Sequence, residues 1–332
     1  MAEDDVADGG PFRVAVLDDY QRAGRTSADW ASLGPDVEVV FFHDHVGEAD
    51  GLVARLQPFD AVCAMRERTA LPASVIEQLP RLQLIVTAGP FNAVIDVGAA
   101  AARGVTVCGT GGIGGVHSTI ELAWGLIFAV ARAIPREDAG MRAGAWQVAT
   151  GTMLHGKTLG IVGLGNFGPL MVPVARALSM DVVAWSRNLT DARAAEVGVT
   201  RLDREEFFSR SDVVTVHVTL GPGSVGYVGR DELRAMRPTA FLVNTSRGPI
   251  VDEAALVEAL REGWIAGAGL DVYDEEPLPI DHPLRHAPNT VLSPHKGYVS
   301  VDTYQQFHEQ FVEDIAAFRA GSPIRVIAPP PA

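Results

Sequence analysis

A chain of 332 residues, 47% of them hydrophobic, exceeds one ordinary core, so two globular domains are expected rather than a disordered chain. Its formal net charge of -14 argues against a nucleic-acid partner, which needs a concentrated positive field. Two cysteines, Cys63 and Cys108, exclude a disulfide framework and a thiolate zinc site, and no apolar run approaches the ~20 residues of a membrane span.

The opening MAEDDVADGG lacks the basic and apolar regions of a signal peptide. Residues 1–11 read as a disordered tail, and the protein as cytoplasmic with no membrane partner. Short apolar runs then alternate with helical patterns: RVAVL (13–17), VEVVFF (37–42), DAVCAM (60–65), LQLIVTA (82–88) and VTVC (105–108). Runs buried on both faces and separated by helices predict a parallel sheet with right-handed crossovers. The glycine-dense stretch 109–115 reads as a loop. After it, Ser118 and Glu121 have capping-box spacing, IELAWGLIFAVARA (120–133) is apolar nearly all round, and Pro135 marks the expected stop. Such a helix lies either in a domain core or in an interface.

A second alternating series begins at Lys157: TLGIVGLG, DVVAWSR (181–187), DVVTVHV (212–218), TAFLVNTS (239–246), GAGLDV (267–272) and TVLSP (290–294). The expected fold class is therefore α/β, with two doubly wound parallel-sheet domains. The amphipathic segment 301–320 has no strand series of its own, and could return to the first domain, making that domain discontinuous.

GLGNFG (163–168) follows the strand-like TLGIV and opens a helical run, the context that a dinucleotide fingerprint requires. Gly163 would make the tight turn, Gly165 would let pyrophosphate approach, and Gly168 would let the helix pack against the strand. The helix N-terminus would offer its free amide hydrogens to the phosphates. Pro169 suits the first turn, whereas Pro173 predicts a distorted helix. An acid at the end of the next strand would bind the ribose hydroxyls of NAD, but that strand ends in Ser186-Arg187-Asn188. NADP is therefore favoured over NAD as cofactor, unless Arg187 simply points into solvent.

Ligands of open α/β sheets bind beyond the carboxyl ends of the strands. There the second series delivers Arg247, Asp271 with Glu276 five residues on, and His295. A redox reaction between a nicotinamide and a carbonyl needs a proton donor, for which histidine is suited, and a cation to orient an anionic substrate. Arginine's fork matches the carboxylate of a 2-keto acid. The acid- and histidine-rich stretch 271–297 could also be read as a metal cluster, but no metal is expected. His282 and His286, in the proline-rich DHPLRHAP, read as surface residues.

With GLGNFG before them, NTSRGPIVDEAAL (244–256), GAGLDVYDEEPL (267–278) and SPH (293–295) resemble the D-isomer-specific 2-hydroxyacid dehydrogenase family, which includes phosphoglycerate dehydrogenases and glyoxylate/hydroxypyruvate reductases. The similarity is strong over about 156–300 and traceable over about 60–155. It implies that Arg247 binds the substrate carboxylate and carbonyl, that His295 is the acid/base, and that Glu276 is its partner. Glu276 is preferred over Glu275 because it directly precedes Pro277, not because of spacing. Asp271 would contact the nicotinamide amide, Asn166 and Phe167 would hold pyrophosphate, and Val218, Thr219, Thr245 and Ser246 would line the cofactor crevice. A Rossmann domain (107–294) would be inserted into a flavodoxin-like substrate domain (1–106 and 295–332), with the active site between them. The helix at 118–133 would serve a homodimer, and a small 2-keto or 2-hydroxy acid would be the substrate.

The sequence departs from the family in the loop that binds the substrate carboxylate. Where members carry a glycine-rich stretch like AGTGVDNVD, residues 88–96 read AGPFNAVID. Gly89 remains, Pro90 has no amide hydrogen, and Phe91 replaces a glycine, so the pocket should be reshaped. Phe91 is either core packing or an aromatic wall of that pocket. Arg66 is either a surface residue or a contact to the substrate's distal group. GTGGIGG (109–115) replaces an Asn-Thr-Pro-Gly-like turn. Formate dehydrogenases of the family carry glutamine in place of Glu276, which argues against formate. The resemblance also admits a dinucleotide-sensing scaffold that binds partner proteins, as related corepressors do. Retention of Arg247, Glu276 and His295 favours the enzyme.

Overall fold

The aliphatic runs form strands because helices and loops cover both of their faces, leaving no polar side to present. The computed structural model describes residues 10–111 and 114–329. The chain divides into unit 1 (Met1–Gly114 and Val299–Ala332) and unit 2 (Gly115–Tyr298). Most of the expected N-terminal tail, and residues 112–113 of the expected glycine loop, lie outside the described residues.

Unit 1 holds a parallel sheet of β1 (Phe12–Val16), β2 (Val37–Phe41), β3 (Ala61–Ala64), β4 (Leu84–Thr87) and β5 (Thr106–Gly109). Its order, β2-β1-β3-β4-β5, is that of flavodoxin-like sheets. Every residue of β3 (AVCA) and β4 (LIVT) is buried. The C-terminal helix Val301–Arg319 returns to this unit and buries Phe307, Phe311 and Ile315. Behind it the chain runs antiparallel to β5 through a Cys108–Val326 bridge. Arg325 there reaches back to the fully buried Asp314 of the helix, with Nε 3.0 Å from Oδ1.

Unit 2 holds seven parallel strands: β6 (Thr158–Val162), β7 (Asp181–Trp185), β8 (Thr200–Arg201), β9 (Val213–Val216), β10 (Phe241–Asn244), β11 (Gly267–Leu270) and β12 (Thr290–Leu292). The order β12-β11-β10-β9-β6-β7-β8 is the Rossmann arrangement with one further strand beyond β11. The two-residue β8 lies in VTRL, too short to stand out from its surroundings.

Two helix expectations need correction. The long helix starts at Gly114, not at a cap on Ser118, whose hydroxyl instead donates to the Gly297 carbonyl at 2.7 Å. It ends at Ala131, and Pro135 opens a second helix, Ile134–Arg142, where its missing N–H goes unneeded. The helix Gly168–Ala177 carries Pro173 in its interior. Among the described residues no single helix is long and apolar enough to cross a membrane.

Candidate active site

The fingerprint glycines are dictated by close backbone approaches. Gly163 has φ +96°, and a Cβ on it would sit 2.8 Å from Val218 Cγ1 and 2.9 Å from the His217 carbonyl. A Cβ on Gly168 would be 2.1 Å from the Gly163 carbonyl oxygen and 3.0 Å from Ile161 Cγ2, so only glycine lets the helix start this close to β6. Gly165 is different: a Cβ there meets nothing within 4 Å, so its face of the turn is open. The helix that follows has Phe167 before it and no side-chain cap, which leaves its first amides available to a phosphate. Asn166 lies in the same turn. These features fit a dinucleotide.

Around this turn, Val218 packs on Gly163, and the Ser246 hydroxyl donates to the Val218 carbonyl at 2.5 Å. Thr245 is buried, while Thr219 is exposed. Ser186 and Arg187 follow β7, with Asn188 next in the chain. Arg187 does not point freely into solvent. Its guanidinium lies 4.5 Å from the Tyr227 ring centroid and donates to the Gly223 carbonyl, and its backbone N–H donates to Tyr227 Oη at 2.5 Å. Arg193, which the sequence reading passed over, braces the fingerprint turn. Its Nε donates to the Leu164 carbonyl at 3.2 Å and its Nη1 pairs with Glu196 at 2.8 Å.

Adjacent strands β10, β11 and β12 deliver the remaining residues to one carboxyl edge of the sheet. Arg247 follows β10, and its backbone carbonyl accepts from Asn244 Nδ2 at 2.9 Å. Next to it, a Cβ on Gly248 would fall 2.0 Å from the carbonyl carbon of Tyr273, so only glycine allows the turns after β10 and β11 to touch. Nδ1 of His295 lies 2.5 Å from Glu276 Oε2, and Oε1 of the same carboxylate accepts the Tyr273 N–H at 2.9 Å. The carboxylate is thereby held at both oxygens. About a quarter to a third of each side chain stays accessible, 26% for His295 and 32% for Glu276. The adjacent Glu275 makes no such contact and is exposed.

His295 adopts φ +48°, a left-handed conformation uncommon for a residue with a side chain. Asp271 holds that turn from below. Its Oδ1 accepts from Ser293 Oγ at 2.5 Å and from Lys296 N at 2.9 Å, and its Oδ2 accepts from Gly297 N at 2.8 Å. Burial pushes the Asp271 carboxyl above its ordinary range, against these hydrogen bonds, which lower it. Tyr298 stacks edge-on to the His295 ring, centroids 6.0 Å apart.

The other members of the acid- and histidine-rich stretch sort differently from expectation in one case. His282 is no surface bystander: Nε2 lies 3.0 Å from Glu253 Oε1, and its side chain caps the short turn Pro283–His286. His286 is exposed. Among the described residues no group of three or more His, Cys, Asp and Glu side chains is placed to hold a metal ion.

In unit 1, the AGPFN loop follows β4. The Gly89 amide is already spent on Thr110 Oγ1 at 2.7 Å, and Pro90 has none to offer. Phe91 is 62% exposed, which rules out core packing. Arg66, with φ +54°, lays its guanidinium over Gly89, where a Cβ would come within 2.1 Å of Nη1. Its carbonyl accepts from Asn92 Nδ2 at 2.7 Å, tying the two loops together.

Residues 124–297 match the D-isomer specific 2-hydroxyacid dehydrogenase, NAD binding domain. Over 276 residues the chain is 36% identical to a glyoxylate reductase of Korarchaeum cryptofilum, covering 81% of this chain and 82% of that protein. It is 34% identical over 293 residues to a D-3-phosphoglycerate dehydrogenase of Mycobacterium tuberculosis, covering 88% of this chain but only 54% of that protein. The structure of a phosphoglycerate oxidoreductase from Vibrio cholerae superposes with a TM-score of 0.88 at 33% identity, over 94% of this chain and 100% of that one.

Proposed function

The chain belongs to the D-isomer specific 2-hydroxyacid dehydrogenase family, and from that premise we propose that it is a nicotinamide-dependent reductase of a small 2-keto acid, with His295 as proton donor. The observation that carries this reading is the His295–Glu276 contact at 2.5 Å on the same sheet edge as Arg247. A nicotinamide dinucleotide held by Gly163, Gly165, Asn166, Phe167 and Gly168 would supply the hydride. The chain's own residues do the rest. Arg247 binds the substrate carboxylate through its fork and turns the carbonyl toward His295. With Nδ1–H fixed on Glu276, the protonated ring donates from Nε2 to the carbonyl oxygen and relaxes to the neutral tautomer that the carboxylate already favours. Asp271 keeps the ring's turn in its strained conformation, and its remaining lone pair is assigned to the nicotinamide amide.

In unit 1, Arg66, Phe91 and the backbone around Gly89 and Pro90 are assigned to substrate recognition. The Gly89 and Pro90 positions offer no free amide hydrogen there, so guanidinium replaces backbone donors. NADP is assigned over NAD, because Ser186 and Arg187 stand where NAD-binding chains need an acid. The guanidinium of Arg187, over the Tyr227 ring, keeps further donors for a 2′-phosphate. Residues at the cofactor crevice are Val218, Thr219, Thr245 and Ser246. A homodimer in the cytoplasm completes the proposal, with exposed Ile134, Met141, Trp146 and Met153 as the apolar surface it would cover.

A screen of NADPH and NADH oxidation against glyoxylate, hydroxypyruvate, pyruvate and bulkier 2-keto acids tests this function. Turnover of at least one of them, faster with NADPH, is expected. Tight cofactor binding with no turnover on any would instead support the dinucleotide-sensing scaffold.

A further inference from the structure

A left-handed backbone at His295, φ +48°, persists only where its surroundings over-determine the turn. Asp271, just after β11, supplies three of the hydrogen bonds that do so. A second element also reaches the turn: the long helix Gly114–Ala131, to which the proposed reaction assigns nothing. Ser118, Thr119 and the turn all lie in unit 2.

Serine and threonine inside a helix commonly turn back to the carbonyl four residues earlier. Thr119 does so, its Oγ1 donating to the Gly115 carbonyl at 2.6 Å. Ser118, one residue before it, reaches out of the helix and donates to the Gly297 carbonyl at 2.7 Å. The two backbone groups of Gly297 are thereby held by separate elements, its N–H by Asp271 Oδ2 at 2.8 Å and its carbonyl by Ser118. Gly297 is buried between them. A Cβ on it would sit 3.1 Å from Thr119 Oγ1, 3.2 Å from Thr119 Cγ2 and 3.2 Å from Asp271 Oδ2. Neither neighbour gives way easily, because Thr119 is tied to its own helix and Asp271 carries three hydrogen bonds.

We infer that Ser118 and Thr119 are positioning residues for His295, Ser118 by pinning the Gly297 carbonyl and Thr119 by packing against the glycine. The catalytic consequence rests on the reductase reading above. A hydroxyl has one hydrogen to donate, and each of these is committed to a backbone carbonyl, so neither is left for a substrate. Their effect passes through the turn. If the Gly297 carbonyl loses its partner, the left-handed turn two residues earlier relaxes. The imidazole then drifts from Glu276 Oε2, which now lies 2.5 Å from Nδ1.

Ser118→Ala leaves the Gly297 carbonyl without its donor and should lower kcat by about 3- to 10-fold, the effect of one hydrogen bond. KM and the dissociation constant of the reduced cofactor should stay near wild type. Ser118→Thr, which keeps the hydroxyl, should recover most of the loss. Gly297→Ala, forced against Thr119 and Asp271, should lower kcat by roughly 10-fold or more. In a His295→Asn background, Ser118→Ala should cause almost no further loss, because the residue it positions is gone. Nitrogen-15 NMR of labelled histidines reads the ring without turnover. Ser118→Ala should move the His295 Nδ1 resonance and leave that of His282, which Glu253 holds, where it is. A kcat for Ser118→Ala within twofold of wild type, or a loss undiminished in the His295→Asn background, overturns the inference. If the wild type reduces no 2-keto acid, the reductase reading fails and the NMR measurement alone decides. A His295 resonance unmoved in both Ser118→Ala and Gly297→Ala then overturns the positioning role.

Discussion

Replacing Glu276 with glutamine tests the acid–base pair at the level of single atoms. The native carboxylate serves two donors, Tyr273 N–H at 2.9 Å and His295 Nδ1 at 2.5 Å. Glutamine has one oxygen for the two of them. If that oxygen stays on Tyr273, the amide NH₂ faces Nδ1, which must then accept and cannot carry the second proton of the imidazolium. If the side chain flips, the oxygen serves His295 and a donor is left facing the Tyr273 N–H, a mismatch of about 1–3 kcal/mol. Only the flipped form can act as the proton donor, so the mismatch adds to the barrier. At 1.36 kcal/mol per factor of ten, turnover should fall by roughly 5- to 150-fold. KM should change little, since Arg247 meets the substrate and Glu276 does not. Steady-state oxidation of the reduced cofactor measures both constants, with Glu275→Gln as the control expected to behave as wild type. A kcat for Glu276→Gln within twofold of wild type, or an equal loss in the control, would refute the reasoning.

Three further outcomes are expected. Gly168→Ala places a Cβ 2.1 Å from the Gly163 carbonyl oxygen and should lift the helix from β6. Cofactor affinity, followed by fluorescence titration, should drop at least tenfold, with stability lower by about 1–3 kcal/mol in chemical denaturation. Arg187→Ala should lower the NADPH-to-NADH ratio of kcat/KM, and an unchanged ratio would remove Arg187 from cofactor selection. The buried Asp314 carboxyl is pushed up to about 6 from its usual 3.8. Between those values the folded chain holds a proton that the unfolded chain has released, so stability should fall as pH rises through that window. Thermal unfolding across it should show Asp314→Asn losing less Tm than wild type, and parallel curves would contradict this.

Strands were legible because burial on both faces leaves a compositional mark, and runs such as LIVT and AVCA carry it whatever lies between them. The fingerprint was legible for a related reason: close backbone approaches at Gly163 and Gly168 admit no other residue. The pairing of His295 with Glu276 was legible only through family resemblance. Nineteen residues separate them, and composition offers Glu275 equally. What escaped was contact between distant segments. Arg193 braces a turn 29 residues upstream, and Arg187 lies on Tyr227 forty residues away, neither of which leaves a local pattern. Asp271 was assigned by the resemblance to the cofactor, while its hydrogen bonds bind the His295 turn, on a strand that follows in sequence but lies alongside in space. The start of the long helix was missed because Gly114 and Gly115 read as loop, although helical residues follow at once.

The central claim is that His295 moves the proton, and His295→Asn measures it most directly. With the best 2-keto acid of the screen, kcat should fall by the roughly 10²- to 10⁴-fold of general acid catalysis while the dissociation constant of the reduced cofactor, from fluorescence titration, stays near wild type. Turnover near that of the wild type with intact cofactor binding would contradict the account.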